Sequence, residues 1–201
     1  MGLSIFLGVV FFICFAMLFN EGLWTNAVTL INAVIAGLIA TNFFEMGAAW
    51  LEEQASTIKY MTDVIAFWVI FGVCFFLFRL ATDQISTVKV RFRKPVETAG
   101  SVIFACWVGW LMISFSLISL HIGPFPVSPF GGTFQETPET KMVLGTGPDR
   151  LWLGFVHHLS RGGSLDRISA SAPDFDPRAD FILRYGARRA TFETEEGLLA
   201  K

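Results

Sequence analysis

His157 and His158 are the pair that most resembles a metal site in this 201-residue chain. Neighbours on a helix point about 100° apart, and no third ligand follows at a useful spacing, so the pair reads as structural. Ser160, Ser164, Ser169 and Ser171 lie close by, but no Ser-His-Asp grouping that would activate a hydroxyl is visible around them. Cys14, Cys74 and Cys106 fit no metal-ligand spacing and stand in apolar stretches, where a thiol acts as small apolar filler. No Gly-rich phosphate loop, paired-carboxylate pocket or HExxH zinc motif is present. These residues point away from an enzyme, and no cofactor or metal is expected.

The more informative polar groups lie inside apolar segments. Asn32 is the most polar side chain deep in any of them. It reads as a hydrogen bond between or within helices, with a role in a pore or an oligomer contact as the functional alternative. No Asp, Glu, Lys, Arg or His stands at the middle of a segment. Proton pumps and ion-coupled carriers hold such groups in their pathway, so active transport is disfavoured and a passive channel remains open.

The elements that position these groups follow from composition. The chain is 53% hydrophobic, with 22 phenylalanines and six tryptophans, and only 16% of it is charged. Charges nearly vanish from Met1–Asn20, Gly22–Phe44, Val64–Phe78 and Thr98–Leu120. A hydrocarbon layer of about 30 Å needs roughly 20 apolar residues to cross. Three windows meet this directly. The third is lengthened by Tyr60, Met61 and Thr62 on one side and by Arg79, Leu80 and Ala81 on the other, with Arg79 snorkelling to the interface. The first window could instead be a signal peptide, but it lacks a basic leading region and an obvious cleavage site. The reading is an all-α integral membrane four-helix bundle over 1–120, with helices near 3–20, 22–44, 60–81 and 98–120. A short C-terminal extracytoplasmic extension follows over 121–201.

In membranes, helices associate through close approach at small residues, helped by hydrogen bonds from Ser, Thr and Asn. On helix two, Thr25, Thr29, Asn32 and Ala36 share a face, with Ala33, Gly37 and Thr41 in an adjacent row. On helix four, Ser101, Ala105 and Gly109 recur every four residues. Helices two and four are therefore expected as the inner pair, packing through Thr25, Thr29, Asn32, Ala33, Gly37, Ser101, Ala105 and Gly109. The phenylalanines of helices one and three read as lipid-facing bulk and aromatic packing.

Orientation follows from the connections. Residues 79–97 hold Arg79, Lys89, Arg91, Arg93 and Lys94, whereas 45–63 hold four acids against Lys59 alone. Short basic connections stay in the cytoplasm, which places both termini outside. Lys89, Arg91, Arg93 and Lys94 then face lipid headgroups or the cytoplasm; no nucleic acid is expected. Val88–Arg93 alternates like a short strand, and Met46–Gln54 would either prolong helix two or form an interfacial turn. In the tail, Leu151, Trp152, Phe155, Val156 and Leu159 form an apolar stripe. A helix near 149–161 would lie flat on the membrane or cover the bundle, and a second near 177–189 would be capped by Asp176 with Pro177 at its first position. With nine basic and ten acidic groups and few apolar ones, the tail reads as two short helices ordered by contact with a partner.

The Gly22–Phe44 run, and Glu97 followed by Ser101, Ala105 and Gly109 with Phe104 between, resemble the CvpA (colicin V production protein) family over about residues 3–120. Ser101 and Ala105 stand where that family usually has glycine, Val108 where an arginine often precedes the last glycine, and Glu21-Gly22 where it has Arg-Gly. The resemblance implies an inner-membrane protein linked to colicin V production or export and to envelope robustness. Some members anchor an extracytoplasmic serine protease, for which this tail is too short and lacks the triad pattern. The implied function is a non-enzymatic accessory or scaffold. Its partners would be membrane lipids and other membrane or envelope proteins, with a homo-oligomer among the arrangements. The alternatives are a small channel formed by oligomerisation, lined by Thr25, Thr29 and Asn32, and an anchor for a separate enzyme.

Overall fold

A computed structural model describes residues 2–54, 60–86, 92–125, 143–160 and 175–194. Four long helices, α1 (Gly2–Phe19), α2 (Leu23–Gln54), α3 (Thr62–Ile85) and α4 (Lys94–Ile122), are each long and apolar enough to cross a membrane. A 3-10 turn at Val143–Gly145 leads to two shorter helices, α5 (Pro148–Ser160) and α6 (Phe181–Thr194). No strand occurs among the described residues. The alternation over Val88–Arg93 falls mostly outside them; Arg93 itself is extended and leads directly into α4. That helix starts four residues before the expected 98, because Pro95 fits the first turn, where a helix has no need of its N–H.

Successive spans run antiparallel, so the bundle has two unlike ends. The turn end carries the α1–α2 turn and the α3–α4 connection. The tail end carries the far part of α2, the start of α3, the end of α4 and both short helices. α2 and α4 form the centre, with α1 laid on α4 and α3 on α2. Burial follows that order: 50% and 61% of the apolar windows of α2 and α4 are buried, against 11% and 17% for α1 and α3. Close approach requires small residues on the central pair. A Cβ at Gly37 would come within 2.2 Å of the Phe115 ring, and one at Gly109 within 2.8 Å of Phe11.

Met46–Gln54 prolongs α2 by more than two turns. At about 1.5 Å per residue the 32-residue helix is about 48 Å long, so it overshoots a hydrocarbon layer of about 30 Å. The overhang stands beside the tail. Phenylalanines of α3 divide between two fates: Phe67 and Phe71 turn inward and are buried, while Phe76 faces out.

The described parts of the tail, 143–160 and 175–194, pack on the bundle. Leu144, Gly145 and Gly147 all have positive φ, a conformation glycine adopts without a steric penalty, and this sharp turn aims α5 back at α4. Trp152, Leu153 and Val156 of α5 and Phe181, Ile182 and Tyr185 of α6 join the core around Phe44, Phe67 and Phe115. Asp176 does cap, accepting bonds from the N–H groups of Asp180 (3.0 Å) and Phe181 (3.1 Å), but the helix begins at Phe181. Pro177 lies in the turn ahead of it, where Asp176 and Ala179 are left-handed.

Candidate functional site

At the turn end, hydrogen bonds between helices do the joining. Asn26 is fully buried, and its Nδ2 donates to the Ser101 hydroxyl (2.9 Å), the Ser101 carbonyl (3.1 Å) and the Leu18 carbonyl (3.0 Å). Ser101 in turn donates to the Glu21 carbonyl at 2.7 Å. Glu97 accepts from the backbone N–H of Leu23 (2.9 Å) and of Phe92 (3.0 Å). The α1–α2 turn is thereby stapled to the start of α4, and a side chain at Gly22 would come within 2.8 Å of Glu97 Oε1. α3 is tied to α2 by Trp24 Nε1 donating to Ser86 (2.8 Å), Asn32 Nδ2 to Thr82 (3.0 Å) and Arg79 Nη1 to Thr29 (2.7 Å).

These bonds place most of the residues singled out from the sequence. Thr25, Thr29 and Asn32 are buried, but they do not share one open lining: Asn32 faces α3, whereas Thr25 and Thr29 floor a groove between α1 and α3. Ala33 lies at the inner end of that groove, and Gly37 lies beyond it against Phe115 and Trp152. Ser101, Ala105 and Gly109 are buried on α4. Arg93 and Lys94 are exposed at the turn end, while Lys89 and Arg91 lie outside the described residues.

At the tail end, rings fill the space between the spans. Phe115 contacts Phe71 and Trp152 with centroids 5.0 Å apart in each pair, and Phe67 at 5.9 Å. Phe44 joins Phe67, Phe181 and Tyr185, each at 6.2 Å. Trp152 Nε1 donates to Thr41 at 2.9 Å, so the one polar atom on this indole is matched within the plug.

Polar contacts also hold the tail helices down. His121, at the end of α4, and Asp149, in the first turn of α5, are buried and bonded Nε2 to Oδ2 at 2.9 Å. Burial works against the Asp149 charge, but the bond from His121 and the positive groups around it outweigh that and hold the carboxyl below its ordinary range. Arg184 of α6 donates to Glu45 at 2.8 Å, and Arg188 pairs with the buried Asp63 and lies 3.8 Å from Glu52. Burial, with Glu45 and Asp63 beside it, pushes the Tyr185 hydroxyl well above its usual range. It stays protonated and donates to Glu45 at 3.3 Å.

His157 Nδ1 donates to the Phe175 carbonyl at 3.2 Å, and His158 is exposed. Ser160 donates to the His157 carbonyl at 3.0 Å; Ser164, Ser169 and Ser171 lie outside the described residues. Among the described residues, no group of three or more His, Cys, Asp or Glu side chains is placed to hold a metal ion.

The model of a family described as colicin V production protein matches residues 3–138, which takes in all four spans and the turn-end staple. The chain belongs to this family. Glu97 and Ser101, which carried the resemblance in sequence, are the residues that pin the first turn to α4. The family match ends before α5, so both tail helices lie beyond it. Comparison with curated proteins and with solved structures found no match.

Sequence reasoning missed Asn26, the His121–Asp149 pair and the Arg184 and Arg188 contacts. Asn26 precedes Thr29 by three residues and was masked because one polar face was assigned to α2, although a central helix has two neighbours and needs two. The arginine contacts join residues 125 and 139 positions apart, and no local pattern announces such a pairing.

Proposed function

We propose that this membrane-embedded family member is a non-enzymatic accessory of the inner membrane, a scaffold serving bacteriocin production or export or envelope maintenance. One observation carries this reading. Asn26, Asn32 and Arg79 each bond a side chain of another span, while wide apolar faces of α1 and α3 are left for other membrane components. Ile5, Val9, Phe12, Ile13 and Met17 of α1 are each more than half exposed, a surface of helix width in the plane of the bilayer. Other membrane or envelope proteins, or a second copy of the chain, are the partners of such a face. The helix-packing roles of Thr25, Thr29, Asn32, Ala33, Gly37, Ser101, Ala105 and Gly109 belong to the same reading.

The tail and both termini are proposed to be extracytoplasmic. Arg79, Arg93 and Lys94 gather at the turn end, whereas Glu45, Glu52, Glu53 and Asp63 stand at the tail end, which matches a cytoplasmic turn end. Crosslinking in native membranes should recover bound proteins, and Asn32→Leu or Gly109→Leu should lower that recovery with no change in solute flux. A selective conductance in liposomes that Asn32→Leu abolishes would replace the scaffold with a channel. Protease added to intact spheroplasts should cut the tail; a protected tail with cleavage at 86–93 inverts the topology.

A further inference from the structure

The groove between α1 and α3 has a shape and a charge pattern that a monolayer lipid fits. Its volume is about 380 Å³, walled by Cys14, Met17 and Leu18 of α1 and by Phe71 and Phe75 of α3. Thr25, Thr29 and Ala33 form the floor with Val108 and Met112 of α4. From Thr25 to Ala33 the floor rises about 12 Å at 1.5 Å per residue. The hydrocarbon of one leaflet is about 15 Å deep, half of the whole layer. The groove therefore opens at the turn end, runs to about mid-membrane and stops against the aromatic plug that begins at Phe71 and Phe115.

Its open end carries both Arg79 and Glu21. Arg79 Nε bonds Asp83 at 3.1 Å and Nη1 bonds Thr29 at 2.7 Å, which fixes the guanidinium plane. Among the described residues Nη2 has no acceptor, and a third of the side chain is exposed. Ionisable groups within spans are rare and signal a partner, and a guanidinium with a free edge suits a phosphate. The Glu21 carboxylate, exposed at the same mouth, makes no ion pair among the described residues. A headgroup that carries a cation beyond its phosphate complements this pair better than an anionic one.

We propose that the groove binds one ethanolamine-type glycerophospholipid of the turn-end leaflet, with an acyl chain along Thr25–Ala33, its phosphate on Arg79 and its ammonium by Glu21. A second copy of the chain would present an apolar helix to this mouth and leave the Arg79 edge without an acceptor. Native mass spectrometry of the delipidated full-length protein, titrated with phosphatidylethanolamine or phosphatidylglycerol, tests this.

One phosphatidylethanolamine per chain should be retained, with phosphatidylglycerol bound more weakly. Arg79→Gln should lose at least tenfold in affinity. Cys14→Phe should block the groove from its partly buried wall, and Glu21→Gln, at an exposed position, should narrow the preference between the two lipids. Equal retention by the Arg79→Gln and Cys14→Phe variants overturns the proposal. So does equal binding of both lipids by the parent chain, or a dimer that forms in place of lipid and is broken by Cys14→Phe. Tail cleavage faster than the parent's in detergent marks Arg79→Gln as misfolded; Arg79→Lys, which keeps the charge and loses the fixed fork, then decides: an intermediate affinity supports the proposal and an unchanged one overturns it.

Discussion

The turn-end half and the tail-end half of this bundle are held together by different physics. The turn end relies on a handful of directional bonds through Asn26, Ser101, Glu97, Asn32 and Arg79 around a groove that is left open. The tail end relies on shape: Phe44, Phe67, Phe71, Phe115 and Trp152 fill the space between helices, and α5 and α6 cover them. Directional bonds fix geometry while leaving room, whereas packed rings leave none. The half with room holds the proposed lipid groove, and in the filled half the rings occupy the space between the described helices.

Removing a ring should cause the largest loss. Phe115→Ala empties a fully buried site that touches α2, α3 and α5, and a truncation of this size costs about 3–5 kcal/mol. Its melting temperature in detergent should fall most, and its tail should be cut faster than the parent's. Asn26→Leu should cost less, about 1–2 kcal/mol for hydrogen bonds between helices in a membrane, and should loosen only the turn end. Tail cleavage that rises in Asn26→Leu as far as in Phe115→Ala would show that the two halves do not separate.

Smaller still is the effect of Arg188→Ala: this guanidinium is a third exposed, so solvent screens its pairing with Asp63, and the rings stay in place. Its signature is faster proteolysis of α6 at nearly unchanged melting temperature. The smallest effect is a pH dependence. The Asp149 carboxyl is held below its ordinary value, so its contribution is complete above about pH 4 and is lost as pH falls through the folded value. Pepsin should cut the tail faster as pH drops from 4 towards 2, and Asp149→Asn should remove that increment. An increment that survives undiminished in Asp149→Asn would show that Asp149 does not carry the dependence.

The spans were legible because hydropathy is a local property; the small-residue spacing on α4 did not say which helix it meets, and Gly109 lies against Phe11 of α1. The overhang of α2 was open to two readings, since Glu52 and Glu53 end the apolar run without ending the helix. The division of the α3 phenylalanines was hidden: Phe71 and Phe76 are the same residue, and only the neighbouring helices decide which one meets lipid. Docking of the tail was hidden for a further reason. A segment with few apolar residues of its own looks unable to order itself, yet Trp152, Phe181 and Tyr185 need only complete a core that the spans have already built. The groove is a property of four helices at once, so its two charged residues looked like an ordinary snorkel and an ordinary turn.

α2 has no proline along its 32 residues, and it runs without a break from the groove floor to the acids that hold α6. A rod without a joint cannot absorb a displacement locally, because helices bend sharply at prolines, bulges or inserted groups. A load applied at Glu45 would therefore be expected to reach Thr25 and Thr29, near the other end of the helix, as tilt. The helix is a lever whose two arms lie in different compartments of the membrane, with the packed rings at its fulcrum.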